Sequence, residues 1–114
     1  MSDCLFCGIA DGKVKANVIY QDNAVVAFKD IVPKAPAHVL IIPRKHIVGV
    51  PDIEDQDQPL IGRIFQVAAG LARDLGIADS GFRVVVNSGP DAGQSVFHLH
   101  YHLLGGRQMT WPPG

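Results

Sequence analysis

Two β-rich runs, Asn17 to Tyr20 and Ala24 to Lys29, are separated by the polar stretch Gln21-Asp22-Asn23, a pattern that predicts a hairpin with Asp30 at the end of its second strand. Ahead of them, Cys4 to Ala10 is short, mostly apolar and closed by Asp11-Gly12. That suits a helical turn or two acting more as a cap than as a core element. Pro33 and Pro36 enforce an irregular extended segment, from which His38 leads into the fully apolar strand Val39-Leu40-Ile41-Ile42, ended by Pro43. The clearest helix follows Asp57-Gln58-Pro59 and stops at Gly76, with Leu60, Ile64, Val67, Ala68, Leu71 and Leu75 recurring at helical spacing as one buried stripe. Phe82 to Val86 and Phe97 to Leu104 read as the last two strands, linked by the turn-rich loop Asn87 to Ser95. Five strands and one long helix, with strands following strands more often than helices, predict an α+β fold with a mainly antiparallel sheet.

At 114 residues the chain suits a single domain spanning 1–114, and its nearly half apolar composition excludes a disordered tail. With a formal charge of −1 and no basic run longer than two, a duplex-binding face is not expected, so nucleic acid is set aside as a partner. No stretch approaches the roughly 20 apolar residues of a membrane span, and Met1-Ser2-Asp3-Cys4 does not open a secretory leader. The expectation is a cytoplasmic protein with no membrane partner. In that compartment, cysteines at 4 and 7 point to metal or redox chemistry more than to a stabilising disulfide.

His98, His100 and His102 alternate with Leu99, Tyr101 and Leu103, so on a strand the imidazoles share one face at about 7 Å spacing while the apolar partners enter the core. Two chemistries fit such a row. Histidines two apart can converge on a catalytic zinc with an open water position. Alternatively, a largely unprotonated imidazole can attack phosphorus and form a phosphoramidate that water later cleaves. The preceding loop favours the second, because Gly89 and Gly93 allow backbone amides to approach an anion and Gln94 and Ser95 add polar side chains.

His98-Leu99-His100-Tyr101-His102-Leu103-Leu104 resembles the motif that names the histidine triad (HIT) superfamily, and Gly93-Gln94-Ser95-Val96 is similar to that family's phosphate loop. Asp30-Ile31, Ala35-Pro36-Ala37-His38, Ile42 to Ile47, Val86-Asn87 and Gly105 to Pro113 extend the resemblance over almost the whole chain, toward the Hint-type phosphoramidase branch. This resemblance implies an adenosine 5′-monophosphoramidase-type hydrolase, acting on purine nucleotides with an AMP or GMP moiety. It implies a homodimer whose sheets join, and no cofactor for catalysis. His100 matches the nucleophile, with His98 and His102 as flanking members that contact phosphate and hold it in place. Asn87, Gly93, Gln94, Ser95 and Val96 match phosphate contacts, Ser95 being near the leaving group. Asp30 matches the acceptor of the ribose hydroxyls, and Leu5, Phe6, Ile9, Phe28 and Ile31 match apolar walls around the base, though each suits ordinary core equally well. His38 matches a motif position without an assigned role. Dinucleoside polyphosphate hydrolases, which generally lack the Trp111-Pro112-Pro113 ending, remain an alternative for substrate. A nucleotide-binding regulatory module of the same fold is the other alternative.

The Cys4-Leu5-Phe6-Cys7 pair departs from the eukaryotic phosphoramidases and resembles microbial members. Without a βαβ pattern beside it, zinc suits the pair better than redox cycling, and Cys4, Cys7, His46 and His98 are the expected ligands of one structural Zn²⁺. The lone Trp111 is expected to find a partner, and the resemblance implies that it reaches across the dimer and affects the choice of leaving group.

Overall fold

The computed structural model describes residues 3–114; Met1 and Ser2, from the segment scanned for a leader, lie outside the described residues. The elements run α1 (Leu5–Ala10), β1 (Val18–Gln21), β2 (Val25–Lys29), β3 (Ala37–Pro43), α2 (Gln58–Asp74), β4 (Phe82–Val86) and β5 (Tyr101–Gly105). The strands form one antiparallel five-stranded sheet in the order β1-β2-β3-β5-β4, the α+β architecture that the strand and helix pattern predicts. No helix among the described residues is long and apolar enough to cross a membrane.

Successive residues of a strand face opposite sides, and in the centre of this sheet both sides are covered. On one side α2 lays Ile64, Val67, Ala68, Leu71 and Ala72 against Val25, Ala27, Val39, Ile41 and Leu103. On the other, Phe6, Ile9 and Ala10 of α1 pack on Val26, Phe28, Leu40 and Ile42. That double burial explains why β2 and β3 read as continuous apolar runs rather than alternating ones. It also corrects the reading of α1 as a mere cap, since its inner face builds a second small core.

The β1–β2 turn is fixed by Asp22, whose carboxylate accepts from the Ala24 and Val25 N–H groups at 2.8 Å each and from the Tyr20 hydroxyl at 2.6 Å. Arg63 of α2 donates to the same carboxylate and ties the hairpin to the helix. Burial pushes the Asp22 carboxyl up, but the hydrogen bonds from Tyr20, Ala24, Arg63 and Val25 more than offset this and hold it well below the usual carboxylate range.

One strand differs from the sequence reading. The ladder partners of β5 begin at Tyr101, not at Phe97, so among the three triad histidines only His102 sits within the sheet. The cause is a side chain standing in for a backbone neighbour: the His98 ring donates from Nε2 to the Pro43 carbonyl at 2.8 Å, and the Leu99 N–H bonds the Ile47 carbonyl at 2.6 Å. The alternation nevertheless holds through this stretch, because Leu99, Tyr101 and Leu103 all enter the α2-side core.

Candidate active site and metal cluster

A cavity of about 320 Å³ opens beside α1, within the size range of small-ligand sites. Its walls bring together Leu5, Phe6, Ile9, Phe28, Ile31, Asp30, Ser95, Val96, His100 and His102, residues that lie up to 97 positions apart (Leu5 to His102). Phe6, Ile9 and Phe28 are core residues that also show a face to the cavity, whereas Leu5 is half exposed and Ile31 is 93 % exposed. An isoleucine so exposed at a cavity mouth is a wall and not core. Val14, Lys15, Ala16, Lys29 and Leu40 complete the lining and went unnoticed in the sequence. Leu40 was within reach, because it stands two positions from His38 on one strand and so shares its face. The others arrive by the α1–β1 connection and the end of β2, with no local signal.

The loop before the triad divides its labour. Gly89 and Gly93 take positive φ (83° and 76°), which suits glycine, and they bracket the short 3₁₀ turn Pro90–Ala92. The Gly93 and Gln94 N–H groups are spent inside this turn, on the Pro90 and Gly89 carbonyls. The Gln94 side chain accepts from the Gly89 N–H at 3.0 Å and donates to the Val48 and Val96 carbonyls, so it braces the loop. Ser95 and Val96 are the loop residues on the cavity wall, which Asn87, Gly93 and Gln94 do not line.

Ring-nitrogen partners fix the tautomers of the histidines, since a carbonyl can only accept. His100 donates from Nδ1 to the His98 carbonyl at 2.7 Å, which leaves Nε2 with its lone pair. His38 accepts the Lys34 N–H at Nδ1 (3.0 Å) and therefore carries its proton on Nε2. That proton faces His102 Nδ1 at 2.9 Å and the Asp30 carboxylate at 3.4 Å. His102 must then accept at Nδ1 and present an Nε2–H donor. Burial, with help from His100 and His38, lowers the His102 pKa to about 4, so this ring is neutral at pH 7. Burial likewise lowers His38, against the opposing pull of Asp30. The sequence left His38 without a role; here it sets which nitrogen of His102 is the donor.

Both depressed imidazoles make the fold acid-sensitive in a defined window. For His102 the unfolded chain binds more protons between its folded pKa of about 4 and the unfolded value of about 6.5, so stability is full above pH 6.5 and falls toward pH 4, and the lowered His38 acts in the same direction. Urea midpoints are expected to decline over this interval and His102→Gln to flatten the decline; identical slopes in the two proteins would refute it.

His98 faces a different centre. It is fully buried, does not line the cavity, and its Nδ1 lies 3.3 Å from Cys4 Sγ, 3.5 Å from Cys7 Sγ and 3.2 Å from His46 Nδ1. Cys7 Sγ is 3.3 Å from His46 Nδ1, and all four donor atoms lie within 4.8 Å of one another. A tetrahedral zinc with bonds of about 2.0–2.3 Å requires ligand atoms roughly 3.3–3.8 Å apart, so the measured separations fit a zinc-sized ion. The Pro43 carbonyl supplies the outer hydrogen bond that commonly orients a metal-bound imidazole. Cys4 also caps α1, its Sγ accepting from the Cys7 N–H at 3.4 Å.

The HIT domain family profile matches residues 11–109. The chain belongs to the HIT family. Within it, the chain is 50 % identical to a HIT family hydrolase from Legionella pneumophila Philadelphia 1, whose crystal structure superposes with a TM-score of 0.97 over 98 % of this chain and 100 % of that one. It is 45 % identical to an uncharacterised HIT-like protein of Synechocystis, over 98 % of this chain and 97 % of the relative. It is also 43 % identical to a 14 kDa zinc-binding protein of Brassica juncea, over 98 % and 100 % of the two chains. The fold is therefore that of HIT family hydrolases, and the Cys/His cluster is compatible with structural zinc.

Proposed function

We propose that this HIT protein hydrolyses purine nucleoside 5′-phosphoramidates in two displacements at phosphorus. The observation that carries this reading is the tautomer lock on His100: with Nδ1–H held by the His98 carbonyl, Nε2 is the nucleophilic nitrogen on a ring that lines the cavity. The purine would lie between Leu5, Phe6, Ile9, Phe28 and Ile31, with the ribose hydroxyls on Asp30. In the first step the Nε2–phosphorus bond forms and the phosphorus–nitrogen bond breaks. The departing nitrogen keeps the electron pair and takes a proton, for which the Ser95 hydroxyl at the cavity wall is the assigned donor. In the second, water adds to phosphorus and gives up a proton that restores the Ser95 hydroxyl, the Nε2–phosphorus bond breaks with its pair returning to Nε2, and the nucleoside monophosphate leaves. The His102 Nε2–H and the Ser95 and Val96 amides are assigned to the non-bridging oxygens, where charge develops.

Release of AMP from adenosine 5′-phosphoramidate tests the assignment, with a dinucleoside polyphosphate as comparison substrate. Preference for the phosphoramidate supports it. Preference for the polyphosphate would move the activity to the alternative hydrolase class, and tight AMP binding without turnover would favour a regulatory module.

Cys4, Cys7, His46 and His98 are proposed to hold one structural Zn²⁺, which would pin α1, a wall of the cavity, to the segment preceding the triad. A homodimer joined along β4 is proposed as well. β4 is an edge of the sheet with Phe82 and Val86 exposed, and an uncovered apolar edge invites pairing with another strand. Trp111, 82 % exposed, lies against Arg83 of that same strand, 5.9 Å from guanidinium carbon to ring centre, at the margin of such an interface. Sedimentation at micromolar concentration is expected to give twice the chain mass, and a monomer would refute the dimer.

A further inference from the structure

We infer that His98 makes the Cys4–Cys7–His46 cluster a control on the orientation of the nucleophile, so that metal occupancy sets turnover and not stability alone. The inference rests on the zinc reading of the cluster and adds a consequence for His100. His98 and His100 precede β5, so no ladder bond of the sheet holds them. What fixes this segment is a set of side-chain and loop contacts from elsewhere in the chain. His98 is held at Nδ1 by the cluster and at Nε2 by the Pro43 carbonyl, and Leu99 is held by the Ile47 carbonyl.

The backbone carbonyl of that same His98 accepts the Nδ1–H of His100 at 2.7 Å and thereby selects its tautomer. One residue thus carries both contacts, with its ring in the cluster and its carbonyl on the nucleophile. The second strand of the link is His46, whose neighbour Ile47 supplies the carbonyl that binds Leu99 between the two histidines. A metal drawing His46 and His98 together would tighten both contacts on the segment at once. If the cluster opens, the His98 ring keeps its bond to Pro43 and its edge contact with Phe6, the peptide that carries its carbonyl is held only through the Leu99 N–H, and the less firmly placed acceptor lets His100 exchange its proton between Nδ1 and Nε2. Asp30 and the β2 wall of the base site lie outside this linkage, whereas α1, which carries Leu5, Phe6 and Ile9, lies within it.

His98 is therefore a positioning residue, and the test reads the nucleophile directly. In ¹⁵N-histidine-labelled full chain loaded with Zn²⁺, the His100 ring nitrogens are expected to show one tautomer, protonated at Nδ1. Removing the metal with a chelator, or replacing the exposed ligand in His46→Ala, is expected to mix the tautomers. It should also lower kcat on adenosine 5′-phosphoramidate by about 10- to 100-fold, the range seen when an outer partner of a metal site is lost. The Kd for AMP is expected to rise as well, because the cluster also pins α1 with Leu5, Phe6 and Ile9 of the base site, so kcat at saturating substrate and the His100 nitrogen signals are what report the coupling. Far-UV circular dichroism reports whether the metal-free chain is folded. If it is not, exchange of Zn²⁺ for the larger Cd²⁺ takes its place, and the His100 nitrogen signals are expected to shift with the metal.

Unchanged His100 nitrogen signals in the folded metal-free protein, or on Cd²⁺ exchange, would overturn the coupling. Absence of turnover by the Zn²⁺-loaded protein would instead overturn the phosphoramidase reading, and the nitrogen spectra would still decide the coupling.

Discussion

His100→Ala is expected to lower phosphoramidate turnover by roughly four orders of magnitude or more, because it removes the atom to which phosphorus becomes bonded rather than a group that assists. Binding of AMP should survive. The apolar walls come from α1, β2 and the residue after Asp30, and the ribose acceptor from the position following β2, so most of the base and ribose site lies on elements other than the triad segment. The ring of Phe6 meets His100 edge-on at 5.1 Å and would lose that contact, so a small local loosening of α1 is the expected side effect. His102→Ala should be milder, since its Nε2–H stabilises charge without forming a bond; the loss of one such donor costs about 10²–10³-fold in kcat. Steady-state kinetics with AMP titrations on both variants check this ranking. Near-parental activity in His100→Ala would end the covalent account.

The largest stability effect is expected at Leu103. It is fully buried on β5, paired with Val39 on one side and Val84 on the other, within the core that α2 covers. Leu103→Ala removes three carbons where neighbouring strands cannot close in, a change that costs roughly 2–5 kcal/mol. Against the 5–15 kcal/mol typical of whole domains this is a large fraction, and the melting temperature should drop by on the order of 10–20 °C. Leu104→Ala, half-buried on the opposite face, is expected to cost clearly less. Since β5 also carries His102, heat inactivation of Leu103→Ala should set in together with unfolding. Differential scanning calorimetry on the pair tests this, and equal losses would mean that the faces of β5 are not as described.

Much of this architecture is legible in the sequence because the signals are local. The stripe from Ile64 to Leu71 has one buried face to satisfy, and the structure uses that face. The Asp22 turn sits between two β-rich runs, and the positive-φ glycines at 89 and 93 mark the loop. Where reading the sequence falls short, a contact distant in the chain decides the outcome. The start of β5 moves to Tyr101 because a ring 55 residues away from Pro43 takes its carbonyl. The Gln94 amide reaches back to Val48 and braces the loop, a partner that nothing in the neighbouring sequence announces. The relation of His38 to His102 spans 64 positions and becomes visible only when β3 and β5 pair. The four-residue Cys/His cluster was legible as a set, because cysteine and histidine have few other uses together; its link through the His98 carbonyl to His100 was not.

The central claim is that phosphorus passes through a covalent bond to His100, and the stereochemical course of the reaction tests it most directly. Each in-line displacement inverts phosphorus, so two in succession restore it. Hydrolysis of a single diastereomer of an adenosine 5′-phosphorothioate amide in ¹⁸O-labelled water is expected to give product with net retention at phosphorus. Net inversion would show that water displaces the amine in one step and would contradict a nucleotidyl-histidine intermediate.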